Sequence, residues 1–249
     1  MYILVIFMPF VMSNLVLILG RFLGYRGVGF FTVCGLFISL LSSVYISFEV
    51  ILNNCTTVVN LLKWIDIGYF NIYFSFYFDT ITSVMLFVVC FISLFVHIYS
   101  LDYMAHDPNF NRYMAYLSLF TFFMLLLVTA DNYLLMFIGW EGVGLSSYLL
   151  INFWYLRILA NKAAMKAMFV NRVGDLALLI AISLLFFNFL SLKYTVIFII
   201  IQEFINYNFI CFGYLVNYLD VLCFFLFFGA MGKSAQLGLH MWLPDAMEG

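Results

Sequence analysis

Seven stretches of this 249-residue chain are apolar for long enough to leave it little choice of fold: 3–20, 28–51, 81–101, 113–130, 133–155, 167–190 and 221–243. At 1.5 Å per residue, a helix of about 20 apolar residues crosses the ~30 Å hydrocarbon core of a bilayer. Only 9% of residues are charged, against about 25% in soluble chains. The reading is therefore an all-α integral membrane protein, a polytopic helix bundle of about seven spans. Three prolines and the lack of a Ser/Pro/Glu-rich tract leave no flexible linker, so one continuous membrane domain is expected. A net charge of −2 with no basic run excludes a nucleic-acid partner. Only Met1 and Tyr2 precede the first run. Without the basic segment of a cleaved signal, that run is expected to be retained as a span.

Between the runs, 194–201 and 209–216 are each too short to cross and are separated by Gln202, Glu203, Asn206 and Asn208, which suggests an interfacial or re-entrant excursion. Alternation around 72–78 suggests a short hairpin strand. Tyr69, Tyr73 and Trp64 sit where interfacial anchors sit. Arg157, Lys162 and Lys166 read either as a short amphipathic interfacial piece or as ordinary positive-inside charge. With seven spans, Arg21, Arg26, Arg112, Arg157, Lys162 and Lys166 share one side and Lys63 and Lys193 the other, which places the N-terminus outside. Asp131-Asn132 and Asp107-Pro108 read as solvated turns. Five scattered cysteines without a CxxC pair give no iron–sulfur or zinc site, and most read as small core residues.

Few residues could carry chemistry. Glu141 lies near the middle of the fifth run, where an acid costs about 2.5–3.5 kcal/mol unless it is hydrated, protonated or paired. Lys233 is the one residue equally deep in a later run. Desolvation offsets most of the attraction within a buried ion pair, so a pair kept in lipid points to use rather than to stability. Arg172 and Asp175, three residues apart, share a helical face, and a self-neutralising structural pair would have the same spacing. Around Lys233, Gly232, Ser234 and Gly238, with Pro244 at the far end, suit a helix that breaks near the midplane to line a cavity. His240, seven residues on, falls on the same helical face as Lys233 and suits a proton relay or an interfacial hydrogen bond. His97 stands alone in the third run and reads more simply as a packed polar residue, with a proton relay as the alternative. No facing second ligand supports a haem.

Three blocks, 139–151, 166–175 and 232–249, resemble subunit 5 of the proton-pumping NADH:ubiquinone oxidoreductase, respiratory complex I, a family also similar to cation/proton antiporter subunits. The first 111 residues resemble it only in span pattern and in 100–104. The resemblance implies the first half of an antiporter-like inverted-repeat fold, with 1–130 as spans one to four and 131–249 as the motif region. It implies that Glu141 and Lys233 form the charge pair of one half-channel, with Arg172 and Asp175 modulating it and His240 nearby. It also implies no cofactor in this chain, NADH, flavin, iron–sulfur clusters and ubiquinone belonging to partner subunits. The expected partners are other membrane-arm subunits, lipid, and a C-terminal half supplied by a separate polypeptide, unless 249 residues are a piece of a longer chain. The expected location is the mitochondrial inner membrane, or a bacterial plasma membrane. Where Gly238 stands, family members usually carry proline. A stand-alone antiporter subunit and a scaffold that no longer pumps are the competing readings, and the Glu141/Lys233 pair argues against the scaffold.

Overall fold

The computed structural model describes residues 1–68, 70–205, 207–211 and 214–247. Tyr69, Asn206, Glu248 and Gly249, used in the sequence reading, lie outside the described residues. The elements in chain order are α1 (Tyr2–Asn53), β1 (Thr57–Ile67), β2 (Phe70–Phe78), α2 (Thr80–Tyr103), α3 (Phe110–Val128), α4 (Tyr133–Ile151), α5 (Ile158–Phe189), α6 (Tyr194–Ile200), a 3-10 turn (Ile201–Phe204), β3 (Asn208–Cys211), β4 (Tyr214–Asn217), α7 (Tyr218–Lys233) and α8 (Trp242–Ala246). Among these, α1 to α5 are each long and apolar enough to cross a membrane. Contacts divide the chain into two compact units. The first holds 1–60, 75–130 and 135–150, and the second 61–74, 131–134 and 151–249.

In the first unit the leading two apolar runs are joined within α1. A straight helix of 52 residues would be about 78 Å long, more than twice the hydrocarbon thickness. The chain escapes this at Gly24, whose φ of 67° and ψ of 179° break the helix, a conformation open to glycine without a side-chain penalty. The halves then lie side by side, since a Cβ on Gly35 would come 2.4 Å from Met12 Cγ. α2 packs along the second half, where Gly29 meets Leu101, and the Tyr25 hydroxyl donates to the Leu101 carbonyl. α3 packs along the first half, from Gly20 against Asn111 to Phe7 and Phe10 against Phe122. α2 opens on a capping box between Asp79 and Thr82, which satisfies two of its orphan N–H groups.

The alternating segment is a strand, as expected, but its partner β1 is a full 11 residues that the alternation did not reveal. The hairpin turns at Gly68, with φ of 58°. Its base, 57–60 and 75–78, belongs to the first unit and its tip, 61–74, to the second.

In the second unit, α5 begins at Ile158, so the basic segment through Lys166 is not a separate interfacial piece but the opening turns of one 32-residue helix. Arg157 precedes it with its guanidinium 4.7 Å over the Trp154 ring. The 194–217 excursion stays short as expected: one seven-residue helix, a 3-10 turn and an antiparallel hairpin pairing Asn208 with Asn217. The Tyr218 hydroxyl donates to the Leu184 carbonyl at 2.7 Å. Phe189, Phe204, Tyr207 and Tyr218 form an aromatic cluster at that end.

Two further sequence expectations fail in the fold. Asp131 and Asn132 are not a solvated turn; they are 3% and 1% exposed. The Asn132 amide donates to the Tyr73 carbonyl at 3.0 Å, and flanking backbone bonds run from Tyr133 to Leu192 and from Tyr194 to Asp131. This short polar dipeptide stitches 73 and 192–194 together, and buried polar groups keep such partners. Nor are most cysteines core residues: of the four described side chains only Cys90 is buried, with Cys55 and Cys223 exposed.

Candidate functional site

Glu141 belongs to the first unit. It is half-buried on α4, beside a line of small and apolar contacts at Leu135, Gly139, Gly142 and Ser146. The spacing of four, three and four residues puts these on one helical face. Both glycines are there for close approach. A Cβ at Gly139 would stand 2.7 Å from the backbone N and Cα of Leu127 on α3, and one at Gly142 would stand 2.1 Å from the Phe123 ring. The depth of Glu141 is therefore set by a helix pair in backbone contact.

The other candidates all belong to the second unit, and Asp175, Gly232 and Lys233 lie where α5 and α7 cross. There Gly174 meets Gly229 and Gly232: a Cβ on Gly174 would lie 3.1 Å from the Gly229 carbonyl oxygen and 3.3 Å from Gly232 Cα. Asp175 and Lys233 are each one residue from this crossing. Asp175 is 6% exposed, its neighbour Asn171 is also buried, and Arg172 is exposed.

Lys233 is the last residue of α7. The helix has 16 residues, about 24 Å at 1.5 Å each, so the seventh apolar run is helical for only part of its length. Beyond it, Ser234 caps the helix by donating from N and Oγ to the Ala230 carbonyl. Ala235 and Gly238 then take positive φ, 51° and 101°, and α8 resumes at Trp242 with Pro244 inside it. The break expected for the seventh helix lies here, immediately after the lysine. A cation at that position sits in the partial negative charge of the helix C-terminus.

His240 is not where helical spacing put it. The chain leaves the helix before reaching it, so the imidazole is exposed in the 234–241 connection rather than two turns along a shared face with Lys233. His97, by contrast, is fully buried on α2, with Nδ1 2.7 Å from the Ser93 carbonyl; since a carbonyl only accepts, Nδ1 carries the proton. Among the described residues no cluster of His, Cys, Asp and Glu is arranged to hold a metal.

Among the described residues, five helices long and apolar enough to cross a membrane, with a shorter one that ends at Lys233 where it crosses α5, define a polytopic α-helical membrane protein. The fold matches solved structures: the Mrp complex from Dietzia sp. DQ12-45-1b (TM-score 0.82, 23% identity, 98% of this chain and 25% of that one) and the archaeal membrane-bound sulfane sulfur reductase, a respiratory membrane complex (TM-score 0.81, 17% identity, 98% and 46%). Residues 130–249 match the family described as NADH:quinone oxidoreductase/Mrp antiporter, TM, and residues 64–114 match NADH-Ubiquinone oxidoreductase (complex I), chain 5 N-terminus. NADH-ubiquinone oxidoreductase chain 5 of Phytophthora infestans is 48% identical over 98% of this chain, that of Chondrus crispus 50% over all of it and that of Metridium senile 51% over all of it. The chain spans 37–40% of the length of these relatives. The chain is thus similar to antiporter-like membrane subunits over 130–249 and, over its whole length, to the N-terminal part of chain 5 relatives.

Proposed function

We propose that this chain is part of the proton-translocating membrane arm of NADH:ubiquinone oxidoreductase and carries the charged residues of one half-channel. The observation that carries the reading is the similarity of the whole chain to part of the chain 5 relatives, joined to the position of Lys233 at the end of α7, next to the glycine that meets Gly174 of α5. In this reading Glu141 and Lys233 each take up and release protons along the half-channel, and Asp175 with Arg172 biases Lys233. His240, next to the break, exchanges protons with water. Gly232, Ser234, Gly238 and Pro244 shape the break that admits water to the lysine.

The redox chemistry lies elsewhere: no cofactor is assigned to this chain, and NADH, flavin, iron–sulfur clusters and ubiquinone belong to other subunits. Further spans, on this or another polypeptide, complete the path, and other membrane-arm subunits and lipid cover the apolar helices. The setting is the mitochondrial inner membrane, in keeping with relatives from oomycete, alga and sea anemone.

A second reading, a subunit of a stand-alone cation/proton antiporter, is favoured by the Mrp likeness of 130–249. Affinity purification from mild detergent separates the two. Flavin- and iron–sulfur-bearing partners recovered with the chain support the respiratory complex. An assembly of antiporter subunits without redox groups supports the second reading and overturns the first.

A further inference from the structure

At its C-terminus a helix leaves its last four carbonyls without an intrahelical donor, and in α7 these belong to Ala230, Met231, Gly232 and Lys233. Two of the four are met locally: Ser234 N donates to Ala230 and Gln236 N to Met231. The Gly232 carbonyl is met from a distance, by the indole Nε1–H of Trp242 at 3.1 Å. Trp242 opens α8, and α8 is in turn tied to α5 by a Lys166–Asp245 ion pair at 2.6 Å. α5 and α7 meet directly at Gly174 and Gly232. The three elements thus form a closed clasp around the peptide that precedes Lys233, although ten residues separate Gly232 from Trp242 in sequence.

We propose that Trp242 is a positioning residue for Lys233: its indole N–H caps the Gly232 carbonyl, fixing the end of α7 and withdrawing part of the negative potential that would otherwise face the lysine. The inference rests on the reading of Lys233 as a proton carrier and assigns a new role to a residue outside the charged set. An indole N–H donates and never accepts, so the bond can only reduce the negative charge felt at the helix end. Freeing that carbonyl strengthens the attraction for a cation within the last turn. The indole stem holds α8 over the break, while the exposed Lys166–Asp245 pair contributes orientation more than stability, as surface pairs do. The other ionisable groups on the elements around this end are Lys162, Arg172 and Asp175 on α5, Tyr218, Asp220 and Cys223 on α7, and His240 in the connection.

The test uses the assembled complex in proteoliposomes. Trp242→Phe keeps the ring and deletes the donor, and Lys233→Ala is measured in parallel. Expected for Trp242→Phe are a lowered proton-to-electron ratio and a pH profile of pumping whose alkaline half-point moves upward, with subunit abundance unchanged. Lys166→Ala should move that half-point less. If Lys233→Ala lowers the ratio while Trp242→Phe retains the wild-type ratio and profile, the clasp is refuted and the reading of Lys233 survives. If Lys233→Ala leaves the ratio unchanged, both fall. A Trp242→Phe subunit that fails to assemble is replaced by Trp242→Tyr, whose side chain is larger than that of Phe and also lacks the indole N–H facing the Gly232 carbonyl. A wild-type ratio and half-point in that variant likewise count against the clasp.

Discussion

Substituting Gly139 by alanine tests whether the position of Glu141 rests on backbone contact between α3 and α4. The added Cβ would stand 2.7 Å from Leu127 N and Cα and 2.8 Å from its Cβ. Ordinary carbon contacts begin near 3.5 Å, so the helices must separate by about 0.8 Å or α4 must rotate. Overpacking of this kind costs roughly 1–3 kcal/mol, and the upper part of that range applies because backbone atoms have no rotamer to escape into. Alanine recovers up to about 1 kcal/mol of helix propensity, leaving a net loss of about 2 kcal/mol. Gly142→Ala is the contrast. Its obstacle is the Phe123 ring at 2.1 Å, a side chain that can be shortened. Thermal unfolding of the purified assembly, together with subunit abundance in membranes, should show both single variants destabilised, with Phe123→Leu restoring Gly142→Ala and Leu127→Ala failing to restore Gly139→Ala. A wild-type midpoint for Gly139→Ala, or rescue by Leu127→Ala, would refute the backbone-contact argument.

Other consequences follow from the same geometry. Asn132→Ala deletes the buried bond to the Tyr73 carbonyl and should cost about 1–3 kcal/mol in thermal unfolding, whereas the solvated turn read from the sequence would make it silent. Gly238→Ala places a Cβ on a residue with φ of 101° and should cost about 1–3 kcal/mol, seen as faster proteolysis of the 234–241 connection. Lys166→Ala breaks an ion pair whose side chains are 42% and 46% exposed. Its effect on the unfolding midpoint should correspond to less than about 1 kcal/mol and shrink further at high salt.

How much of this was legible in the sequence depended on length scale. Apolar runs specify helices in lipid because every backbone polar group must be satisfied within the segment, and each run did yield a helix. What runs cannot specify is where one helix folds back on another. Gly24 is one glycine among 15, and only the contact of Gly35 with Met12 reveals the turn it makes. β1 escaped because its burial does not alternate, so period-two spacing carried no signal there. Asp131-Asn132 looked like a solvated turn because local chemistry is identical whether a polar pair meets water or a distant carbonyl. The placement of His240 assumed that the helix continues, yet the glycines and serine noted around Lys233 were themselves the signal that it stops. Resemblance was legible mainly after residue 131, where long motifs survive, although relatives align with the whole chain. Trp242 gave no sequence signal, since an indole at the end of an apolar run reads as an interfacial anchor.

The most direct test of the central claim is the proton-to-electron ratio of the complex carrying Glu141→Gln, measured in reconstituted vesicles with NADH oxidation and proton uptake recorded together. The substitution keeps the volume of the side chain and removes its exchangeable charge, so packing beside Gly139 and Gly142 should be preserved. If Glu141 and Lys233 carry one half-channel, the ratio falls below wild type while the assembled complex remains intact. An intact complex that pumps the wild-type number of protons per electron contradicts the account.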